Sequence, residues 1–258
     1  MPYANNNGVK IYYEVEGDGP PLVLAHGGGS ELNGWRRFGY ADALKNDYQL
    51  ILFDARGHGR SDKPHRLSDY GPRMADDVLA VLDDLGVERA CFLGYFTGAL
   101  TGLLLATHHA ERFYGFIIGC MSPYGFPEDM VIVVNNAIRE LKLYITDPEG
   151  VMQRREQRLG RVLTPAERDI DAEAMIGVLT AQLDVRFAES ELASISVPFL
   201  VYCGDADPFH ADAKESANHI PQAKFVSLPG LGHGQGWSRS DVTLPHIKEF
   251  LARVSKSK

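Results

Sequence analysis

One short segment constrains the fold more than any other part of this chain. An apolar stretch at residues 91–93 runs into Gly94-Tyr95-Phe96-Thr97-Gly98, and residues 99–108 continue with helical periodicity. Glycines at this spacing relieve the crowding of a strand that turns sharply into a helix. The segment therefore predicts a strand, a tight turn centred on Phe96, and a helix that packs back onto the strand.

The same alternation of strand and helix recurs along most of the chain. Apolar runs rich in strand-forming residues are separated by segments with helical periodicity, such as residues 76–85. The runs lie at residues 9–16, 22–25, 50–53, 91–93, 116–118, 199–203 and 225–228. This order predicts an α/β fold with a doubly wound, mostly parallel β-sheet that is covered by helices on both faces.

The alternation stops between Ser122 and Val197. Charged helical stretches occur here at residues 137–144, 151–159 and 166–187, with prolines between them and no convincing strand. We predict that residues 1–122 and 198–258 form one α/β core. Residues 123–197 are then a helical cap inserted over the strand ends.

Composition narrows the partners that this chain can have. A net charge of −8, from 26 basic and 34 acidic residues, argues against nucleic acid or an anionic membrane as the partner. The three cysteines lie in or just after apolar runs, which is typical of inert core residues in a reducing compartment.

There is no signal-peptide pattern at the N-terminus. We expect a soluble, cytoplasmic protein that binds a small-molecule substrate or ligand, with a homodimer as an open alternative.

Polar and glycine-rich segments follow four of the predicted strands. In a doubly wound sheet the functional site lies at the carboxyl ends of the strands, so these segments are the candidates. Residues 26–29 are a glycine-rich turn whose N–H groups could face a developing negative charge, or which could be only a tight loop. Asp205 and Asp207 follow one late strand, and His233 follows the last. An acid and a histidine at these positions could form an oriented base.

Taken in chain order, these motifs resemble those of the capped α/β-hydrolases, which include esterases, lactonases, epoxide hydrolases, haloalkane dehalogenases and C–C bond hydrolases. The resemblance rests on His26-Gly27, the loop at residues 54–61, the glycine-flanked turn at Phe96, the cap segment, Asp207 and His233.

The resemblance implies a role for each site residue. Asp207 rather than Asp205 is the triad acid, because the family pattern is a glycine, two residues and then Asp. His233 is the base, and the N–H groups of Gly28 and Thr97 form the oxyanion hole. In this family the turn reads Gly-x-Ser-x-Gly, or carries Asp in epoxide hydrolases and dehalogenases. Here Phe96 occupies that catalytic position.

Phenylalanine has no atom that can attack a carbonyl, so four hypotheses are open. Phe96 replaces the serine of a hydrolase for a small apolar ester, lactone or carbonyl compound, and acyl-enzyme hydrolysis is lost or much reduced. Alternatively, Thr97 or Tyr95 is the nucleophile. A third hypothesis keeps His233 and Asp207 as a general base without a covalent intermediate. The fourth is a non-catalytic binding or sensor protein.

The remaining expectations concern the pocket and its contents. We expect His26, Gly27, Trp35, Tyr95 and Tyr124 to line the substrate pocket, with Trp35 near its mouth. The motifs imply no metal and no organic cofactor.

Overall fold

The computed structural model describes residues 2–164 and 168–255, and within them eight strands form one sheet. The strands are β1 Tyr3–Asn6, β2 Val9–Glu16, β3 Pro21–Ala25, β4 Gln49–Phe53, β5 Ala90–Tyr95, β6 Phe113–Gly119, β7 Phe199–Gly204 and β8 Ala223–Leu228. Their order across the sheet is β1-β2-β4-β3-β5-β6-β7-β8. The pairings of β1 with β2 and of β2 with β4 are antiparallel, and the others are parallel. The predicted fold class is confirmed.

Helices connect the parallel strands. They are α1 Asn33–Arg37, α2 Tyr40–Leu44, α3 Arg73–Asp84, α4 Thr97–His108, α5 Glu128–Thr146, α6 Pro148–Leu159, α7 Ala172–Asp184, α8 Glu189–Ala193, α9 His210–His219, α10 Gln235–Ser238 and α11 Ser240–Ser255. Helix α4 follows β5 directly, and all its residues from Thr97 to Ala106 are buried. It is therefore the central helix, packed against the middle of the sheet. None of the helices in the described ranges has both the length and the hydropathy that a membrane crossing requires.

The first strand was missed from the sequence because its composition is polar. Residues 3–6 pair with β2 in a hairpin whose register joins Asn6 to Val9. The two-residue loop, Asn7-Gly8, has positive φ at both positions, 51° and 92°. Asn-Gly is the preferred sequence for such a turn, because both residues tolerate positive φ.

Between β6 and β7 the described chain is helical, as its sequence predicts. Helix α5 begins earlier than expected, at Glu128, and packs against α6 and α7. The third predicted stretch begins at Ala166, which lies outside the described residues, and the helix observed there is α7. Helix α7 also contacts the 3₁₀ turn at Leu67–Asp69, so this helical segment touches the core near the loop that follows β4.

A buried ion pair fixes that loop to α3. The guanidinium of Arg56 donates from Nε to Asp77 Oδ2 at 2.6 Å and from a second nitrogen to Asp77 Oδ1. Asn6 Nδ2 also donates to Asp77 Oδ1, at 2.8 Å. Arg56 and Asp77 are each 1% exposed. Burial raises the pKa of Asp77 above its ordinary value, although Arg56 and Asn6 oppose the shift.

Replacing Asp77 with asparagine should destabilise the protein strongly. The substitution keeps the shape but leaves the Arg56 charge buried without a counter-ion, which typically costs about 3–5 kcal/mol. Urea unfolding of Asp77→Asn measures the loss. Asp42→Asn, at the exposed Lys45–Asp42 pair, is the control and should change stability little. Equal stability of the two variants would contradict this account.

Candidate active site

The turn between β5 and α4 holds Phe96 in a strained conformation. Phe96 has φ 50° and ψ −106°, which a bulky side chain rarely adopts. A Cβ at Gly98 would overlap the carbonyl oxygen of Ala25 at the end of β3, and one at Gly94 would overlap the backbone of Gly98. Both glycines are therefore required by close backbone contacts, and the predicted turn centred on Phe96 is confirmed.

Asp207 and His233 meet at the carboxyl ends of the neighbouring strands β7 and β8. His233 Nδ1 lies 2.8 Å from Asp207 Oδ2, and the N–H of Phe209 donates to Asp207 Oδ1 at 2.9 Å. The Asp207 side chain is fully buried, whereas that of His233 is 28% exposed. Burial acts to raise the pKa of Asp207, but His233 and the N–H of Phe209 outweigh it, so the pKa is below its ordinary value. Asp207 is thus a carboxylate that can orient the imidazole.

Asp205, the other carboxylate of this loop, has a different role. Its Oδ1 accepts the N–H of Gly230 at 2.7 Å, which ties the loops after β7 and β8 together.

Two cysteines lie behind Asp207. The sulfur atoms of Cys120 and Cys203 and a carboxylate oxygen of Asp207 are all within 4.8 Å of one another, and the three residues are buried. A hydrogen bond with Cys120, together with burial, raises the pKa of Cys203 far above its ordinary value. Metal ligation needs thiolates, so the raised pKa of Cys203 suits packing better than ligation of a metal. A hydrogen bond from Cys120 also helps to keep the pKa of Asp207 low, a contact that the sequence analysis missed.

Three phenylalanines, Phe96, Phe126 and Phe209, form an aromatic cluster against His233. The ring centroid of Phe96 lies 4.8 Å from that of His233, with the planes nearly perpendicular. Phe126 and Phe209 lie 5.7 Å and 5.9 Å from Phe96, and Phe209 is 5.6 Å from His233. The space beside the imidazole on this side is therefore apolar. Phe209 was missed because it follows Asp207 in a loop and has no periodic pattern.

Two buried histidines hold the glycine-rich turn in place. The N–H of Ala55 donates to His26 Nε2 and that of Gly29 to His58 Nε2, both at 3.1 Å. The opposite ring nitrogens face carbonyl oxygens, those of Gly27 and Arg56. This pattern requires both rings to be neutral and protonated on Nδ1. Burial lowers the pKa of His26 to about 4 and that of His58 to about 3.

His58, in the loop after β4, supports the site through its buried ring. Its ring supports the turn at residues 26–29, which lies directly against Phe96. A Cβ at Gly27 would lie 3.6 Å from Phe96 Cβ, and one at Gly28 only 2.7 Å from Thr97 Oγ1. Within the described residues the N–H of Gly28 has no acceptor. The N–H of Thr97, the first residue of α4, has no partner inside the helix.

The structure does not bring every predicted pocket residue to the site. Trp35 is fully buried and packs edge-on against Tyr40 and Trp237, so it fills the core and does not reach a pocket mouth. Tyr95 is also buried. Its ring stacks on Trp237, and its hydroxyl donates to the backbone carbonyl of His233.

Tyr124 lies elsewhere, with its ring perpendicular to that of His219 at 6.5 Å. Of the five predicted pocket residues, the structure places His26 and Gly27 in the turn beside Phe96.

The backbone strain at Phe96 can be measured by comparing two small substitutions. At most positions glycine is less stabilising than alanine. At φ 50° and ψ −106° the order should be reversed, because only glycine relaxes a strain of about 1–3 kcal/mol. Chemical unfolding of Phe96→Gly and Phe96→Ala tests this. An alanine variant that is the more stable of the two would show that the turn is unstrained.

The neutral histidines predict a pH dependence of stability. Both rings bind protons less readily in the folded chain than in the unfolded chain, where the pKa is near 6.5. Their stabilising contribution is therefore complete above about pH 6.5 and falls toward pH 4, by up to about 1.4 kcal/mol per pH unit for each ring. The unfolding free energy of His58→Gln, whose amide oxygen can still accept from Gly29, should depend less steeply on pH. Identical slopes for the parent and the variant would refute the neutral state of His58.

Comparisons with known proteins agree with this architecture. Residues 20–145 match a family model described as the alpha/beta hydrolase fold. The chain is 29% identical to 3-oxoadipate enol-lactonase 1 of Acinetobacter baylyi, over 86% of each chain. It is 26% identical to a bifunctional esterase/perhydrolase of Acinetobacter calcoaceticus, over 96% of this chain and 98% of that protein.

A search of solved structures also finds similar hydrolases. The crystal structure of the enol-lactonase from Burkholderia xenovorans LB400 superposes with a TM-score of 0.77 at 28% identity, and the match covers 97% of this chain and all of that one. The structural similarity therefore extends over nearly the whole chain. The chain has the α/β-hydrolase fold, and the proteins it resembles over nearly its whole length include enol-lactonases and an esterase.

Proposed function

We propose that this chain is a hydrolase-family protein with a site for a small apolar ester, lactone or other carbonyl compound, in which Phe96 stands in place of the nucleophile. Acyl-enzyme hydrolysis is then lost or much reduced. The observation that carries the proposal is the position of Phe96, in a strained turn with its ring 4.8 Å from the His233 ring. The named relatives, enol-lactonases and an esterase, support the substrate class.

The proposal assigns the acid, the base and the oxyanion hole of a hydrolase to other residues of this site. Asp207 holds His233 through Nδ1, which leaves Nε2 to take a proton from a nucleophile. The N–H groups of Gly28 and Thr97 stabilise the oxyanion of a tetrahedral intermediate. Phe96 supplies no proton and no attacking atom, and its ring occupies the space where a scissile carbonyl would approach the base.

Residues 123–197 serve in this proposal as a cap over the strand ends. Phe126 supports that role, because it comes from this segment and packs against both Phe96 and Phe209. Gln182 of α7 lies close to Gly28. A cap in this position excludes water and gives the pocket an apolar wall.

The geometry argues against a nucleophile at a neighbouring residue. Thr97 Oγ1 is buried without a hydrogen-bonding partner among the described residues, so no base contacts it. The Tyr95 hydroxyl donates to the backbone carbonyl of His233, and burial raises the pKa of Tyr95 far above its ordinary value. Neither hydroxyl is activated.

A second candidate function is non-covalent base catalysis by His233. The observation that favours it is the intact pair, with the imidazole partly exposed and Asp207 fully buried. Positioned base catalysis alone contributes about 10²- to 10⁴-fold, which is weak beside a complete triad.

Serine at position 96 should create an esterase. Because removal of a serine nucleophile can cost on the order of 10⁶-fold in kcat, we expect Phe96→Ser to raise hydrolysis of 4-nitrophenyl butyrate and small lactones by about 10³-fold or more over the parent. Phe96→Ala is the matched control, since it opens the same space without a nucleophile.

The outcomes separate the two candidates. A serine variant no faster than the alanine variant would overturn the proposed function. Parent activity that disappears in His233→Ala would instead favour the second candidate.

A further inference from the structure

Two buried polar groups next to Phe96 have no hydrogen-bonding partner in the part of the chain that the structure describes. They are Thr97 Oγ1, at the start of α4, and Gln182 Nε2, in α7, and each residue is 3% exposed. An unpaired buried amide or hydroxyl costs about 1–3 kcal/mol, so native proteins almost always pair such groups with protein, water or ligand. Two of them side by side therefore point to a binding site.

The two groups face the same space. A Cβ on Gly28 would lie 2.7 Å from Thr97 Oγ1 and 3.8 Å from Gln182 Nε2. Phe96 Cε1 would also lie 3.8 Å from that point, so the space adjoins the proposed reaction centre. Thr97 and Gln182 line one cavity between α4 and α7, which has room for about one water molecule.

The lining of this cavity defines the chemistry of its occupant. Its other walls are apolar or already paired: they include Met74, Leu100 and Leu104, and Thr101, whose Oγ1 donates to Thr97 O at 3.2 Å. The Gln182 amide nitrogen can only donate, and the Thr97 hydroxyl can donate as well. Among the residues that the structure describes, no charged side chain lines the cavity, so a carboxylate there would be buried without a counter-ion. A neutral acceptor of the size of one oxygen atom fits.

We propose that Thr97 and Gln182 form a subsite for a second carbonyl oxygen of the ligand. The preferred ligands are small neutral esters or lactones that carry an additional keto or amide carbonyl. This oxygen replaces the water that the cavity otherwise admits. The inference rests on the proposed function in treating the ligand as a substrate, but binding at this subsite does not require hydrolysis.

The test compares two esters that differ by one keto oxygen, ethyl levulinate and ethyl valerate. The parent chain is titrated with each, and the side-chain amide resonance of Gln182 is followed by NMR while calorimetry gives the affinity. We expect the keto ester to bind about five- to tenfold more tightly and to shift this resonance. Equal affinities, no binding of either ester, or an unmoved Gln182 resonance would overturn the proposal.

Substitutions test which side chains cause the preference for the keto ester. Gln182→Leu and Thr97→Val remove one donor each with little change in shape, and should reduce the preference to about twofold or less. Thr101→Val lines the same cavity without contributing a free donor, so it should keep the preference, as should Thr97→Ser. A preference that survives Gln182→Leu refutes the subsite. If Phe96→Ser fails to hydrolyse esters, the proposed function fails, but these binding results stand independently.

Discussion

The close contact between the Phe96 turn and the end of β3 determines the geometry of the whole site. The backbone of Gly98 lies so near the carbonyl of Ala25 that no side chain fits there, and Gly94 is packed against Gly98 in the same way. Between these two contacts residue 96 has a positive φ of 50°. Strain of this kind persists when the surroundings over-determine the conformation, and it is concentrated at functional sites. Phe96 is thus placed by the fold rather than by its own packing.

The hydrogen bonds of the site distinguish two buried histidines that hold the loops from one histidine that is partly exposed. His26 and His58 are neutral and fully occupied by backbone partners, and Asp54 accepts the N–H groups of Leu32 and Arg60. Together they hold the loop after β3 against the loop after β4. His233 differs from the buried pair because it is partly exposed and faces a carboxylate. It is therefore the histidine of this site that is suited to proton transfer.

Short sequence patterns predicted the structural elements that form from neighbouring residues. The parallel strands, α4, the turn at Phe96 and the positions of Asp207 and His233 follow from short apolar runs and from the residues just after them. Contacts between distant segments could not be obtained in this way. Trp35 was expected at a pocket mouth, yet it packs against Trp237, about 200 residues away in sequence.

Three further features were not predicted from the sequence: strand β1, the role of His58 and the position of Gln182. The Asn7-Gly8 turn was a usable signal for β1, but the polar strand before it hid the pairing. The buried ring of His58 had no such signal, because a histidine in a glycine-rich loop looks the same whether it is exposed or bound to Gly29. Gln182 was missed for a similar reason, since only tertiary structure brings α7 next to Gly28.

The central claim is that position 96 faces an assembled base and lacks only a nucleophile. Covalent labelling tests it most directly: the parent and Phe96→Ser are treated with a fluorophosphonate reagent, and the adduct is located by peptide mass spectrometry. The account predicts one adduct per chain in Phe96→Ser, on the peptide that contains position 96, its loss when His233→Ala is added, and no adduct in the parent. An unlabelled serine variant, or equal labelling of the parent at another residue, would contradict it.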